Sequence, residues 1–293
     1  MKVALYQART GIDPERNKAG LVAAVKESAA AGAQILFTPE MSGLLDRDRA
    51  RSSPKLRAEA EDPVLGAVRK AAAAAGIWVH LGSLAIRTEG EKLANRGFLI
   101  DDKGAIRARY DKIHLFDVDL ATESWRESAL YAAGDKAVVV NSPAGRLGLS
   151  VCYDLRFPDL YRTLTDAGAE ILAIPAAFTV PTGIAHWHVL MRARAIEAGV
   201  FVVAAAQCGR HEDGRETYGH SLVVGPWGEI LLDMGVGEGV GYAEIDLVRI
   251  KEVRGILPAI RHRRPIPPVE TPGGEAKKPG RKPLARRTPM PAR

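Results

Sequence analysis

Cysteine is scarce in this sequence, which has only Cys152 and Cys208 among its 293 residues. Two cysteines cannot build the disulfide framework of a small secreted fold, so we expect two thiols in a reducing, cytoplasmic compartment. Long apolar runs are also missing, since none approaches the roughly 18 residues of a membrane-spanning helix. The N-terminus enters a strand-like segment without a signal-peptide pattern. The sequence therefore predicts a cytoplasmic protein with no membrane partner.

Basic charge is concentrated at the C-terminal end. Residues 266–293 contain seven Lys or Arg and two Glu, which accounts for five of the six net positive charges, and seven of the 18 prolines. Such a segment buries too little apolar surface to offset its ordering entropy. We predict a single domain over residues 1–265 and a disordered, basic, proline-rich tail over 266–293. A solvated tail is favoured over a weak nucleic-acid contact, because charge runs are usually solvated.

Short apolar runs alternate with longer alanine-rich amphipathic segments along the chain, and this alternation is typical of a layered α/β domain. Helices are predicted at Pro14–Ala31, Pro63–Ala75, Pro158–Ala167, His186–Ala198 and Leu247–Arg254, several of them opened by a proline in the first turn. Strands are predicted at Val3–Ala8, Gln34–Thr38, Ile77–Ile86, Gly97–Asp101, Ala105–Tyr110, Ala137–Asn141, Leu147–Cys152, Ile171–Ala176, Phe201–Gln207, Ser221–Val224, Glu229–Asp233 and Gly241–Glu244.

Turn-forming residues separate some strand pairs, whereas a whole helix separates others. The turns at 102–104, 143–145 and 226–228 each end in glycine and favour hairpins, and the helical segments favour parallel crossovers. Near-continuous apolar strands such as Ile171–Ala176 need cover on both faces. We therefore predict a four-layer α-β-β-α sandwich of two mixed sheets.

Cys152 ends an apolar strand in the segment GLSVCYDLRFP, which turns into a proline-opened helix. A side chain at such a turn projects at the carboxyl edge of a sheet, where the amides of the next turn favour a thiolate and an oxyanion. A small buried hydrophobic role is the alternative for this cysteine. Cys208 is followed by a glycine-rich loop and is interpreted as structural.

A thiol nucleophile needs a proton acceptor, and none of the seven histidines is clearly placed for that role. Glu40 is the first ionisable residue after the apolar strand that ends in FTP, and partial desolvation there would raise its pKa. Lys112 follows a third strand, where a cation can stabilise an oxyanion. We predict no metal, because histidines spaced like His186 and His188 face apart on a helix.

These three segments, FTPEMSG, YDKIHLFD and GLSVCYDLRFPDLY, resemble the Glu-Lys-Cys triad of the carbon-nitrogen hydrolase or nitrilase superfamily. The resemblance covers residues 2 to about 265 and has the family's order. Later segments, notably AAAQCGRH and YGHS, look most like the branch that contains deaminated glutathione amidase and omega-amidase.

The resemblance implies roles for individual residues. Cys152 becomes the nucleophile, Glu40 the general base and acid, and Lys112 an oxyanion donor together with the Tyr153 backbone amide. Glu127 matches a second glutamate of the family that orients the lysine and the substrate, although Glu123 is a nearby rival. Four further residues are predicted to bind substrate because they follow the nucleophile or a strand end, namely Arg156, Phe178, Thr179 and Thr182.

The implied reaction is hydrolysis of a terminal carboxamide, through a cysteine thioester, to an acid and ammonia, without a cofactor. The branch implies a small carboxylate-bearing amide, with deaminated glutathione first. Omega-amidase activity on 2-oxo acid amides, or another amidase, nitrilase or carbamoylase activity, is the alternative. The family also implies a homodimer or higher homo-oligomer. A non-catalytic scaffold with a nucleic-acid-binding tail is the alternative of another class, and the intact triad argues against it.

Overall fold

Two β-sheets lie at the centre of the structure, a computed structural model that describes residues 1–119, 124–270 and 272. The strands are β1 Lys2–Gln7, β2 Ile35–Phe37, β3 Arg57–Ala58, β4 Trp78–Arg87, β5 Leu93–Ile100, β6 Ile106–Asp111, β7 Asp117–Asp119, β8 Ser124–Arg126, β9 Val138–Ser142, β10 Gly145–Leu149, β11 Ile171–Ala173, β12 Phe201–Ala204, β13 Cys208–Arg210, β14 Glu216–Tyr218, β15 Leu222–Val224, β16 Ile230–Asp233 and β17 Gly239–Glu244. The α-helices are α1 Pro14–Ala30, α2 Arg49–Ser52, α3 Pro63–Ala75, α4 Pro158–Asp166, α5 Val180–Ala198 and α6 Val248–Ile256.

Both sheets are mixed, as predicted. The first has the order β17-β1-β2-β4-β5-β6, with β3 paired to β4, and the second has the order β16-β15-β12-β11-β10-β9. Strands β1, β2 and β4 are parallel in the first sheet, as are β10, β11 and β12 in the second. The turns at 102–104, 143–145 and 226–228 join antiparallel neighbours, which confirms the three predicted hairpins.

Side-chain alternation along the strands separates the two faces of the first sheet. In β1, Val3 and Leu5 pack in the core that includes the second sheet, whereas Ala4 packs with the outer helices. In β2, Ile35 belongs to the inner core and Leu36 to the outer one. Because alternate residues of a strand point to opposite faces, an uninterrupted apolar strand serves two layers.

Helices cover the outer face of each sheet. Leu21 and Val25 of α1 and Val68 of α3 pack in the cluster on the first sheet. Helix α4 contacts β10, and α5 contacts β12 and β15, with Trp187 and Met191 fully buried in the core of the second sheet. This arrangement is the predicted four-layer α-β-β-α sandwich.

The structure departs from the predicted elements in short polar segments and at one helix start. Each of the twelve predicted strands overlaps an observed one, but β3, β7, β8, β13 and β14 were not predicted, because two or three polar residues carry no apolar alternation. Helix α5 begins at Val180, ahead of the predicted His186, and its first turn contains a proline like those of α1, α3 and α4.

The chain divides into two units, Met1–Ile260 and Arg261–Arg293. Residues 261–270 contain no helix or strand. The predicted tail over 266–293 falls mostly outside the described residues, so its disorder stays a prediction. Among the described helices, none has the length and apolar character needed to cross a membrane.

A testable consequence concerns Gly82 in β4, where the register with β5 is irregular between Leu81 and Leu84. A Cβ at Gly82 would lie 2.1 Å from the carbonyl oxygen of Thr38 and 2.5 Å from that of Pro39. We expect Gly82→Ala to lower the free energy of unfolding by about 1–3 kcal/mol, because the backbone beside it must shift.

Gly66 provides the matched control, since it lies inside α3 and a Cβ there meets nothing within 4 Å. Gly66→Ala should raise the free energy of unfolding by about 0.5–1 kcal/mol through helix propensity. Urea unfolding of both variants makes the comparison. Equal changes in the two variants would refute the close approach at Gly82.

Candidate active site

Glu40 lies just beyond the carboxyl end of β2 and is only 5% exposed. Its Oε1 accepts hydrogen bonds from Lys112 Nζ and from Asn95 Nδ2, both at 2.9 Å. Its Oε2 accepts from the Ala177 backbone N–H at 3.0 Å, and its main-chain oxygen accepts from Gln207 Nε2 at 2.9 Å. The carboxylate is therefore fixed from several directions.

Lys112 directly follows β6 and is 2% exposed. Its Nζ lies 2.9 Å from Glu40 Oε1 and 2.9 Å from Glu127 Oε2. Burial lowers the pKa of Lys112, but the charges of Glu127 and Glu40 outweigh burial and hold that pKa well above its ordinary value. Lys112 is therefore a permanent cation between two carboxylates.

Glu127 begins a short 3₁₀ turn after β8. Besides the contact with Lys112, its Oε2 accepts a hydrogen bond from the Phe116 N–H at 2.7 Å, and its Oε1 accepts from Asn95 Nδ2 at 3.0 Å. The structure thus brings Glu127 to the predicted site. The rival, Glu123, lies outside the described residues.

Asn95 is a site residue that sequence reasoning missed. It is fully buried in β5, and its Nδ2 group donates to Glu40 and to Glu127, while its Oδ1 has no partner among the described residues. Asn95 and Lys112 therefore bridge the same two carboxylates. The signal available in the sequence was an amide side chain in LANRGFLI, a segment that is apolar apart from Asn95 and Arg96, since a buried polar group needs a partner.

Cys152 occupies the turn after β10 and is 8% exposed. Its backbone is in the left-handed region at a φ of 49°, and its N–H donates to the Pro175 carbonyl oxygen at 2.9 Å. The predicted direct passage from strand to helix is wrong in detail, because a 3₁₀ turn over Cys152–Arg156 intervenes and α4 starts at Pro158. Such strain is characteristic of functional turns.

The Cys152 thiol is neutral in this environment. Burial raises its pKa well above the ordinary value, and the Glu40 charge and a hydrogen bond to Glu40 raise it further, whereas Lys112 acts in the opposite direction. A thiol that donates a hydrogen bond to a carboxylate is ready to lose its proton to that carboxylate when it attacks.

The raised pKa expected for Glu40 is corrected by the structure. Burial alone would raise the pKa of Glu40, but the Lys112 charge and hydrogen bonds from Lys112, Cys152 and Asn95 lower it below its ordinary value. Desolvation was predictable from the strand end, whereas three donors from distant parts of the sequence were not. Glu40 therefore rests as an ionised base.

Asp154 connects the cysteine turn to the chain that follows Lys112. It is fully buried and accepts hydrogen bonds from Tyr110 Oη at 2.7 Å, the Val151 N–H at 2.9 Å and the His114 N–H at 3.0 Å. Tyr110 lies in β6 of the first sheet, and Val151 belongs to the turn that follows β10 of the second. One carboxylate thus links the two sheets beside the site.

A cleft of about 1270 Å³ opens over Cys152. Seven other predicted site residues line it: Glu40, Lys112, Glu127, Tyr153, Phe178, Thr179 and Thr182. Arg156 is not among the described lining residues. Its guanidinium lies 5.3 Å from the centre of the Phe178 ring, which does line the cleft, and 3.3 Å from His186 Nδ1, so the structure places it directly behind one of the other predicted binding residues.

One group among the described residues has the spacing of a metal site, although it lies outside the lining of the cleft. His188, His220 and Asp233 place their ligand atoms within 4.8 Å of one another. Asp233 lies 3.0 Å from His188 Nε2 and 2.8 Å from His220 Nδ1, and these two hydrogen bonds account for the grouping. The predicted separation of His186 from His188 holds, since His186 contacts Arg156.

Sequence relatives share most of the chain. The protein is 38% identical to a deaminated glutathione amidase of Yersinia enterocolitica, over 89% of this chain and 92% of the relative. It is 40% identical to a deaminated glutathione amidase of Homo sapiens, over 90% of this chain and 82% of the relative.

Solved structures share the fold. The NitFhit protein of C. elegans aligns with a TM-score of 0.84 at 34% identity, over 90% of this chain and 65% of that one. Nit3 of Saccharomyces cerevisiae, a member of branch 10 of the nitrilase superfamily, aligns with a TM-score of 0.81 at 27% identity, over 90% and 96% of the two chains. The family model of carbon-nitrogen hydrolases matches residues 2–255. The chain belongs to the carbon-nitrogen hydrolase family.

Proposed function

We propose that this protein hydrolyses the amide bond of a small carboxylate-bearing substrate, with Cys152 as nucleophile and Glu40 as base and acid. The observation that carries the proposal is the buried hydrogen-bonded group in which Lys112 contacts both Glu40 and Glu127 while Glu40 faces the Cys152 thiol. This group lies at a cleft with room for a small molecule. It holds a base, a nucleophile and a cation in mutual reach.

Acylation begins when Glu40 takes the proton of the Cys152 thiol and the sulfur attacks the amide carbonyl carbon. The new carbon–sulfur bond moves the carbonyl electron pair to the oxygen, which Lys112 Nζ and the Tyr153 backbone N–H stabilise. The carbon–nitrogen bond then breaks, the proton on Glu40 passes to the nitrogen, and the amine departs. A thioester on Cys152 remains.

Deacylation uses the same carboxylate in the opposite order. Glu40 removes a proton from water, the hydroxide adds to the thioester carbon, and the resulting oxyanion meets the same donors. The carbon–sulfur bond breaks, the acid leaves, and the proton on Glu40 returns to the sulfur. Glu127 keeps Lys112 in place and charged throughout, because a buried cation needs a compensating carboxylate.

Deaminated glutathione is the substrate we propose, because relatives that align over about 90% of this chain, at 38% and 40% identity, are named for it. Its scissile amide joins a five-carbon diacid unit to cysteinylglycine, so the leaving group is the amine of that dipeptide, whereas a primary carboxamide releases ammonia. A cleft of about 1270 Å³ has room for such an extended substrate. The departing group therefore distinguishes this substrate from the smaller amides of an omega-amidase.

We propose further that the protein works as a homo-oligomer in the cytoplasm. Helix α5 exposes the apolar side chains Ile184 and Val189 by 70% and 68%, which supports pairing through the helices near residues 158–167 and 186–198. A reducing compartment is proposed because the reaction requires Cys152 as a free thiol.

A panel of substrates and a cysteine variant test the substrate and the nucleophile. We expect deaminated glutathione to give the highest kcat/KM in a panel with 2-oxoglutaramate, succinamate, aliphatic amides and nitriles. Cys152→Ala should lower kcat on every substrate by about 10³-fold or more, because the covalent route is lost. Cysteinylglycine release measures the first substrate, and ammonia release measures the others.

Cys208 offers a matched control, since its thiol is also buried but does not line the described cleft. Cys208→Ala should keep kcat/KM within about twofold of the wild type, as expected for a site away from the chemistry. A leading rate on 2-oxoglutaramate would instead support the omega-amidase alternative. Wild-type rates in Cys152→Ala would contradict the mechanism.

A further prediction concerns Asn95. Asn95→Ala removes the shared donor from two neighbouring carboxylates, so the pKa of Glu40 rises and the acid limb of the kcat/KM profile moves to higher pH. The loss of a hydrogen bond to a charged group should also lower kcat/KM by about 10- to 100-fold at neutral pH. The pH profile of kcat/KM is the measurement.

Asn17 serves as the control, because its Nδ2 also bridges two acceptors, the carbonyl oxygens of Gly11 and Gly43. Asn17→Ala should lower stability without moving the acid limb. An unchanged acid limb in Asn95→Ala, with a correctly folded protein, would show that Asn95 only supports the structure.

A further inference from the structure

Arginines are frequent in the lining of the cleft, and their partners distinguish them. The guanidinium of Arg126 holds both oxygens of Asp119 at 2.7 and 2.9 Å. That of Arg87 donates to the main-chain oxygens of Ser53 and Leu56. These two arginines are therefore engaged by the protein surface around them.

Arg47 and Arg215 also line the cleft, but they share one carboxylate, that of Asp213. Arg215 Nε and Nη2 both lie 2.7 Å from Asp213 Oδ2, and Arg47 Nε lies 3.9 Å from the same oxygen. Two cations facing one carboxylate leave a surplus positive charge. The contacts with Asp213 leave the Nη1 group of Arg215 available as a donor.

Asp213 holds this pair from behind. Its side chain is completely buried and does not appear in the described lining of the cleft. It also accepts hydrogen bonds from the backbone N–H groups of Arg47 at 2.9 Å and Arg215 at 3.1 Å. The Arg215 guanidinium is thus fixed before any ligand arrives, which reduces the entropy lost on binding, whereas Arg47 is held through its backbone and a longer contact.

Trp125 is the aromatic part of the same site. The guanidinium carbon of Arg215 lies 5.1 Å from the centre of its ring, and that of Arg47 lies 5.6 Å from it. Both distances are within the range of a cation–π interaction, which helps to hold each guanidinium beside the indole ring. The indole Nε1 is buried and has no acceptor among the described residues, so the site also contains an unsatisfied donor.

Tyr131 also lines the cleft, and the charges of both Arg215 and the catalytic carboxylates act on its phenol. Burial raises the pKa of the Tyr131 phenol, the charges of Glu127 and Glu40 raise it further, and Arg215 and Lys112 act against them. One phenol therefore lies within range of the reacting carboxylates and of Arg215.

We propose that Arg215 and Arg47, held by Asp213 and Trp125, bind a carboxylate of the amide substrate. The inference rests on the proposed amidase function and adds the residues that select an acidic substrate over a neutral one. A fixed guanidinium matches the planar, two-oxygen geometry of a carboxylate.

The test is binding of deaminated glutathione to Cys152→Ala, which cannot turn it over. Calorimetry should give a Kd about 10- to 100-fold weaker when Arg215→Gln is added, because a charged hydrogen bond is lost. Since that change leaves the buried Asp213 carboxylate with only the 3.9 Å contact to Arg47 as an ion pair, the Asp213→Asn/Arg215→Gln combination is measured as well and should show the same loss. In the enzyme with Cys152 intact, Arg215→Gln should lower kcat/KM for deaminated glutathione about 10-fold more than kcat/KM for propionamide, which has no carboxylate.

Arg249 is the control, because its Nη1 donates to Glu252 at 2.6 Å and neither residue lines the described cleft. Arg249→Gln should leave the Kd within about twofold of the parent. Three results would overturn the subsite. They are an unchanged Kd in both Arg215 variants, equal losses of kcat/KM for propionamide and deaminated glutathione, and the absence of binding to Cys152→Ala. Arg215-dependent binding without wild-type turnover of this substrate would support the subsite while contradicting the proposed function.

Discussion

A lysine buried between two carboxylates is the constraint on which the rest of the site depends. Moving an ammonium group out of water costs several kcal/mol unless opposite charges and hydrogen bonds replace the solvent. Glu40 and Glu127 supply them for Lys112 and leave one surplus negative charge. That surplus explains why Asn95 contributes a neutral donor to both carboxylates. Burial, together with the negative charge of Glu40, raises the pKa of Cys152 and keeps its proton in place at rest.

Neither sheet contains this arrangement alone. Glu40, Asn95 and Lys112 come from the first sheet or the chain directly after its strands, whereas Cys152 follows a strand of the second. Main-chain contacts cross between the two, such as the Ala177 N–H that donates to Glu40 Oε2. The buried apolar layer between the sheets therefore determines the distance between base and nucleophile. A small misplacement there is costly, because catalysis depends on near-contact geometry.

The sequence predicted the two mixed sheets with their covering helices, and it predicted part of the catalytic group. Glu40 and Cys152 each follow an apolar strand, and Lys112 follows the strand IRARYD, in which apolar and charged residues alternate. Polar residues at strand ends can be recognised without a structure. Glu127 required the family resemblance, because SWRES alone indicates only a polar loop. The short strands β13 and β14 escaped detection because they lack an apolar pattern, and the contact of Arg215 with Trp125 escaped it because a contact between distant parts of the sequence leaves no local pattern. The lowered pKa of Glu40 was beyond sequence reasoning because its donors come from separate segments.

The proposed mechanism depends most directly on the resting protonation state of Cys152. Ultraviolet absorbance of the thiolate, followed against pH in a Cys208→Ala background, measures this state without turnover. We predict that Cys152 stays a neutral thiol through neutral pH, and that Glu40→Gln lowers the pKa of the thiol because a neighbouring negative charge is removed. A thiolate already present at neutral pH with Glu40 intact, or a pKa that rises in Glu40→Gln, would contradict the account.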